Sequence, residues 1–226
     1  MGTAPSSPHA ARYRGRVGSD PADARLASPV FDRNVPPLLV ALSPWFAGRS
    51  GTVLEIGSGT GQHAAAFRLG YPALDWLPSD PDPAHRASCD AWAAHLGLPP
   101  RPALDLDAGV EWWMRDDMVF HAPLTAVVSM NVIHIAPIAV ARGIVEGAGR
   151  LLAPSGLLVF YGPFLENGRY TGDGNRRFDD NLRAECPEWG LRDLDEITAL
   201  ARAAGLGPAA RISMPANNLL AIFRRA

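Results

Sequence analysis

The sequence predicts an α/β protein: a mostly parallel sheet with helices on both faces. Three observations carry that expectation. Short runs of β-prone apolar residues alternate with segments of helical periodicity, and a parallel sheet needs such crossovers between its strands. The first run, Val53, Leu54 and Ile56, leads into three glycines at alternate positions, Gly57, Gly59 and Gly61. A second run ends in an acid, Asp80, placed 19 residues after Gly61. That is the separation at which a nucleotide-binding α/β unit sets a carboxylate against ribose hydroxyls.

The spacing of the glycine loop sorts ligand classes. A dinucleotide fingerprint reads G-x-G-x-x-G, with a pyrophosphate on the helix end. Here the third glycine comes one residue early, and Glu55 lies two positions before the first. A pyrophosphate would be repelled by Glu55, whereas an ammonium group would be attracted, so the loop suits a zwitterionic ligand. Gly57, Ser58, Gly59, Gly61 and Gln62 are the expected contacts, with helical composition over 60–69 aiming free N–H groups back at the loop. A Walker loop is excluded because the chain contains no lysine; all 21 of its basic residues are arginine. The same absence removes Schiff-base chemistry through lysine.

With 226 residues, 47% of them hydrophobic, the chain is expected to form one domain around one sizeable core. A formal net charge of −2 without runs of like charge disfavours nucleic acid and anionic membrane as partners. Cys89 and Cys186 match neither a disulfide framework nor a metal-binding spacing, so no metal is expected and a reducing, cytoplasmic setting fits. No apolar run reaches the roughly 18 residues of a membrane span, and no secretory leader is evident at the N-terminus.

Taken in order, residues 1–28 are rich in Gly, Pro, Ala and Arg and read as a flexible arm, with Arg12, Arg14 and Arg16 around Tyr13 offering a lid as the alternative. A single domain over 29–226 follows. Val35, Leu38, Leu39, Leu42 and Phe46 fall on one face of a helix that covers the sheet. Its polar start, Asp32-Arg33-Asn34, either caps that helix or touches a cofactor. The second strand ends at Asp80, Pro81 and Asp82 open the next helix, and Gly97 stops it. A third strand over 102–106 places Asp105, Leu106 and Asp107 in line, and 109–121 is expected to hold a short helix near the sheet edge. The fourth strand, 124–131, runs into Val132, Ile133 and His134. Beside the glycine loop this is a topological switch point, where open α/β sheets bind ligands, so Ser129, Asn131 and His134 should lie where substrate and cofactor meet. Helix 138–152 and a fifth strand ending at Tyr161 come next. The aromatic and polar stretch 163–192, with Asn175, Phe178 and Asp179, is read as a substrate lid, because loops after parallel strands carry specificity. Asp193 caps a helix, and two strands around Pro215, Ala216, Asn217 and Asn218 complete the sheet.

The block Glu55-x-Gly57-x-Gly59-x-Gly61 resembles the first motif of class I S-adenosylmethionine-dependent methyltransferases. Asp32-Arg33-Asn34, Gly59-Thr60-Gly61-Gln62-His63, Pro78-Ser79-Asp80-Pro81-Asp82-Pro83 and Met130-Asn131-Val132-Ile133-His134-Ile135 narrow the likeness. So do Tyr161-Gly162-Pro163-Phe164, 187–193 and Met214-Pro215-Ala216-Asn217-Asn218. From about residue 28 onward the chain resembles a methyltransferase-like family of unknown function that includes the animal methyltransferase-like protein twenty-six. One departure is Gly57, where alanine is expected in many members.

The resemblance implies a Rossmann-like class I methyltransferase fold: a seven-stranded, mostly parallel sheet with a C-terminal antiparallel hairpin. It also implies S-adenosyl-L-methionine as cofactor and S-adenosyl-L-homocysteine as product. Arg33, Asn34, Glu55, Gly57, Ser58, Gly59, Gly61, Gln62, Asp80, Pro81, Asp105, Leu106 and Asn131 would bind the cofactor. In methyltransferases an acid at Asp105 accepts from the adenine amino group while Leu106 packs on the ring; the alternative is that Asp105 and Asp107 only solvate a loop. The implied activity is methyl transfer to oxygen, nitrogen or sulfur of a small molecule, with a lyase, a cyclase or a non-catalytic binder as rivals. His134 is the placed base, or else a histidine that fixes its own loop; Asn131 and Tyr161 would orient the acceptor, and Tyr161 or Phe164 would face the sulfonium. The oligomeric state stays open between monomer and homodimer.

Overall fold

A computed structural model describes residues 15–17, 20, 22–115 and 123–226. A short antiparallel ladder of β1 (Gly15–Arg16) and β2 (Leu26–Ala27) precedes α1 (Phe31–Phe46). The main sheet takes β3 (Gly51–Ile56), β4 (Leu74–Ser79), β5 (Leu124–Met130) and β6 (Leu152–Gly162), connected through α2 (Gln62–Gly70), α3 (Pro83–His95) and α4 (Ile138–Leu151). Next come β7 (Phe164–Glu166), β8 (Arg169–Tyr170), α5 (Asp173–Glu185) and β9 (Arg192–Asp193), then α6 (Leu194–Ala203), β10 (Leu206–Met214) and β11 (Asn218–Arg225).

The sheet has the order β10-β11-β6-β5-β3-β4. β3 to β6 run parallel, and β11 is inserted antiparallel between β6 and β10. Successive residues of a strand face opposite sides, so each strand feeds two cores. Leu54, Ile56, Val127, Leu158 and Phe160 pack with Ile144 of α4 and Ile197 of α6. Val53, Trp76, Val128 and Val159 pack with Leu38 and Leu42 of α1 and Phe67 of α2. Helices therefore cover both faces, as a buried parallel sheet demands.

Six strands form where seven were expected. The predicted strand over 102–106 is reduced to one bridge, Ser79 to Leu104, held by Leu104 N–H to Pro78 O (2.9 Å) and Asp80 N–H to Leu104 O (3.0 Å). Two residues earlier, the parallel ladder would need donors from residues 102 and 78, and both are proline. Two residues later it would need the Asp80 carbonyl and the Asp82 N–H. Arg86 occupies the first (2.9 Å) and the Asp80 carboxylate the second (2.9 Å).

Local corrections follow the same kind of accounting. Asp32 lies in the first turn of α1, and Val30 takes the cap position, so Asp32 is no cap. Part of the expected flexible arm is fixed: Leu26 N–H donates to Ser88 Oγ (2.8 Å), Trp92 Nε1 donates to Leu26 O (2.8 Å), and Ser28 N–H donates to Gln62 Oε1 (2.6 Å). Arg12, Tyr13 and Arg14 fall outside the described residues. In the expected helix over 109–121, Trp112–Met114 form a 3-10 turn, and residues 116–122 fall outside the described residues. Among the described residues no helix is long and apolar enough to cross a membrane.

Stretch 163–192 is an ordered unit with its own three-stranded sheet, β8-β7-β9, flanking α5. Asp179 ties it together. Its Oδ2 accepts from Tyr170 Oη (2.7 Å) and Arg183 Nε (3.0 Å), and its Oδ1 accepts from Leu191 N–H (2.6 Å). Burial alone would raise the Asp179 pKa, but these hydrogen bonds outweigh it and hold the carboxyl below its ordinary range.

Candidate functional site

Above the C-terminal ends of β3, β4, β5 and β6 lies a cavity of about 710 Å³. This is within the range of about 300–1,000 Å³ usual for small-molecule sites. Parallel strands end there together, so the loops that follow them converge on one place.

At the β3 and β4 end, the three glycines do two different jobs. A Cβ on Gly57 would stand 2.5 Å from Val132 Cγ2, and one on Gly61 would stand 2.5 Å from the Cys89 Cα of α3. These two positions allow close packing behind the loop. Gly59 differs: its φ is 55° and nothing lies within 4 Å of where its Cβ would be, so its backbone faces open cavity. Asp80 stands beside it, 5% exposed. Its Oδ2 accepts from Gly59 N–H (2.9 Å), and its Oδ1 accepts from Asp82 N–H (2.9 Å) and lies 3.1 Å from His85 Nδ1. Loop and carboxylate thus fix each other, with acceptor capacity left over, since an ionised carboxylate offers about four lone-pair sites. Ser58, Pro81, Leu106 and Asp107 also reach the wall.

At the β5, β6 and β11 end the wall is built from side chains of distant segments. Asn131 takes a left-handed φ of 57°, its N–H donating to Tyr161 O (2.8 Å). His134 is 3% exposed, packs edge-on against Phe178 at 5.5 Å, and accepts at its carbonyl from Gly190 N–H (2.9 Å). The Gly162 Cα carries no Cβ where the His134 ring and Asn131 Oδ1 crowd in, 3.3 and 3.4 Å from that position. Asn175 and Phe178 of α5, Asn217, and Asn218 of β11 complete this end. Arg33 and Asn34 enter from α1, with Arg33 Nε donating to Asn34 Oδ1 (3.1 Å).

Residues 25–225 match the family described as a protein of unknown function, DUF938. The chain belongs to that family. Among solved structures it is similar to an O-methyltransferase family protein from Burkholderia thailandensis, with 20% identity, a TM-score of 0.71, and coverage of 84% of this chain and 55% of that one. It is similar to the S-adenosylmethionine-dependent methyltransferase SibL in its apo form, at 20% identity, TM-score 0.68 and coverage of 86% and 55%. PigF with SAH matches at 14% identity, TM-score 0.67 and coverage of 84% and 55%. The chain spans about half the length of these proteins. At such identities the likeness establishes a methyltransferase-type fold.

Several residues expected at the site stand away from the cavity wall in this family member. Glu55 is 1% exposed and its carboxyl accepts from Trp76 Nε1 (2.7 Å) of the neighbouring strand β4. Burial is the main reason its pKa is raised to about 7; the Asp80 charge adds to this and the Trp76 bond opposes it. Gly61 packs on α3, and the Gln62 carboxamide holds the Ser28 N–H. Asp105 is largely exposed and pairs with Arg86 at 3.2 Å; Asp107 is the acid that reaches the wall. Tyr161 sits behind Asn218, whose Nδ2 donates to its hydroxyl (3.0 Å). Burial raises its pKa, against the Asn218 bond and the nearby Arg33 charge.

His85, Asn217 and Asn218 were not singled out from sequence as site residues. His85 carries a readable signal, lying five residues after Asp80 on the first turn of α3. For Asn217 and Asn218 no local signal exists, because only the antiparallel insertion of β11 brings them beside Gly162. His63, expected to pack, does so against Phe31 (5.5 Å) and Phe67 (6.3 Å) while reaching the wall. Burial lowers its pKa to about 4, so it is neutral at physiological pH.

Proposed function

We propose that the protein is an S-adenosyl-L-methionine-dependent methyltransferase acting on an oxygen, nitrogen or sulfur atom of a small molecule. One observation carries the reading: a cavity with open backbone at Gly59 and the Asp80 carboxylate beside it, at the switch point of a parallel sheet. The residues suit that cofactor. Asp80 has lone pairs left for ribose hydroxyls, and Leu106 offers an apolar surface for a base. The helix α2 begins without a side-chain cap, so its first N–H groups, where His63 reaches the wall, suit a carboxylate. Fold similarity to SibL and to PigF with SAH supports the choice. Kinship with the animal methyltransferase-like protein twenty-six belongs to the same reading.

Held there, S-adenosyl-L-methionine would supply a methyl group on a sulfonium sulfur and would leave as S-adenosyl-L-homocysteine. The chain's own residues then have to align, exclude water and move a proton. Alignment contributes up to roughly 7–11 kcal/mol in well-oriented reactions. Phe178 and Pro163 form the apolar part of the wall at the acceptor end and keep it dry. The His134 imidazole, side by side with Asn131 at Gly162, takes the proton that a hydroxyl or ammonium acceptor must lose. Isothermal titration with both forms of the cofactor, then transfer of tritium from labelled cofactor into cell extract, tests the reading. Both forms are expected to bind and label to be transferred, and His134→Ala is expected to keep homocysteine-form affinity and lose turnover. Absence of binding at millimolar concentration removes the proposal, and equal loss of binding in His134→Ala makes His134 a structural residue.

A further inference from the structure

The acceptor end of the cavity has a hydrogen-bonding polarity that narrows the substrate class, on the premise of the methyltransferase reading. Asn175 and Asn218 both stand on its wall. Asn175 is 6% exposed, and its Nδ2 donates to Thr171 Oγ1 (2.8 Å) and to the Asn217 carbonyl (3.1 Å). Asn218 repeats the arrangement, its Nδ2 donating to Tyr161 Oη (3.0 Å) and to the Pro215 carbonyl (3.0 Å). A backbone carbonyl only accepts, so the carboxamide atom facing it has to be nitrogen and the other terminal atom oxygen. Each NH₂ carries two protons, and in both residues the two are committed. What these side chains keep for a ligand is therefore a pair of Oδ1 atoms, which accept and never donate.

Charge narrows the class further. The acids of the wall, Asp80, Asp82 and Asp107, belong to the β4 end. Among the described residues at the other end, the side chain with a fixed charge is Arg33, close enough to Tyr161 to act on its phenol. An ammonium substrate would be repelled by Arg33, and a carboxylate, although Arg33 attracts it, would set its oxygens against two carbonyl oxygens. Neutral hydroxyl groups meet neither penalty. We propose that the methyl acceptor is a neutral compound bearing at least two hydroxyl groups, which donate to Asn175 Oδ1 and Asn218 Oδ1.

The test is isothermal titration of four probes of similar size into protein saturated with S-adenosyl-L-homocysteine: catechol, 1,2-dimethoxybenzene, benzoate and benzylamine. Flat probes suit the Phe178 and Pro163 surface. Catechol is expected to bind about tenfold or more tightly than each of the others, the worth of two neutral hydrogen bonds. Asn218→Leu is expected to erase that preference while binding of the homocysteine form persists. Benzoate or benzylamine binding as well as catechol overturns the inference, as does failure of catechol to bind at millimolar concentration. The same panel run without S-adenosyl-L-homocysteine separates the two claims. Cofactor binding without diol preference removes this inference alone, whereas loss of cofactor binding with diol preference intact removes the methyltransferase reading.

Discussion

The β4 end of the cavity and the β11 end solve the problem of holding a ligand in opposite ways. At the β4 end, backbone does the work: Gly59 exposes its main chain, and its N–H and that of Asp82 pin the Asp80 carboxylate. All of this comes from one βαβ unit. At the β11 end, carboxamides and rings arrive from α1, the loop after β5, α5 and the turn before β11. Ala216 and Asn217 hold left-handed backbone there, with φ of 59° and 56°. A backbone-built end tolerates little change and keeps one ligand. A side-chain-built end can be respecified by single substitutions without touching the sheet.

The largest expected effect tests how rigid the first end is. Gly61→Ala places a Cβ 2.5 Å from the Cys89 backbone at a φ of 80°. Chemical denaturation should show a loss of roughly 2–5 kcal/mol, the sum of overpacking and left-handed strain. Asp80→Ala leaves the Gly59 and Asp82 N–H groups without their acceptor and removes the proposed ribose contact. Affinity for S-adenosyl-L-homocysteine should fall about 100-fold or more by calorimetry, whereas an unchanged affinity would put the nucleoside elsewhere.

Glu55→Gln sharpens the comparison through pH. With its pKa raised from 4.5 to about 7, Glu55 holds a proton in the folded state that the unfolded chain has released, so stability falls as pH rises through that window. Glutamine keeps an acceptor for Trp76 and carries no charge. The variant should gain about 1–3 kcal/mol over wild type at about pH 8. Below 4.5, where Glu55 is protonated in both states, the gain should vanish in melts compared across pH. The smallest effect belongs to the other end. Ala216→Gly relieves left-handed strain and adds unfolded-state entropy, for a net gain of about 0.5 kcal/mol; a loss measured by thermal melts would show that the turn is not strained.

Legibility in the sequence follows the same division. The first end could be read because its determinants are close in the chain and tied to periodic elements: an apolar run, alternate glycines, an acid at fixed separation. Asp80 and Gly59 came from that pattern. Glu55 stands off the cavity wall because strand alternation decides which face a side chain takes, and Trp76 on the neighbouring strand supplies a partner that no local pattern reveals. Asp105 stands off the wall for a related reason: where the ladder at Leu104 breaks off, Arg86 pairs with the acid. At the second end Asn218 reaches the cavity only because Leu219 pairs with Gly162 across an antiparallel register, a fact of topology rather than of composition.

The proline within β4 has a consequence outside the site. Fibril growth recruits a strand onto an open sheet margin through an unbroken row of main-chain bonds. Before the Leu104 rung this margin presents Pro78, a link without a hydrogen to share, so a second molecule arriving along β4 meets a row of bonds interrupted within the strand. Ordered self-templating from this side is interrupted covalently at Pro78, beside the rung that Leu104 already fills.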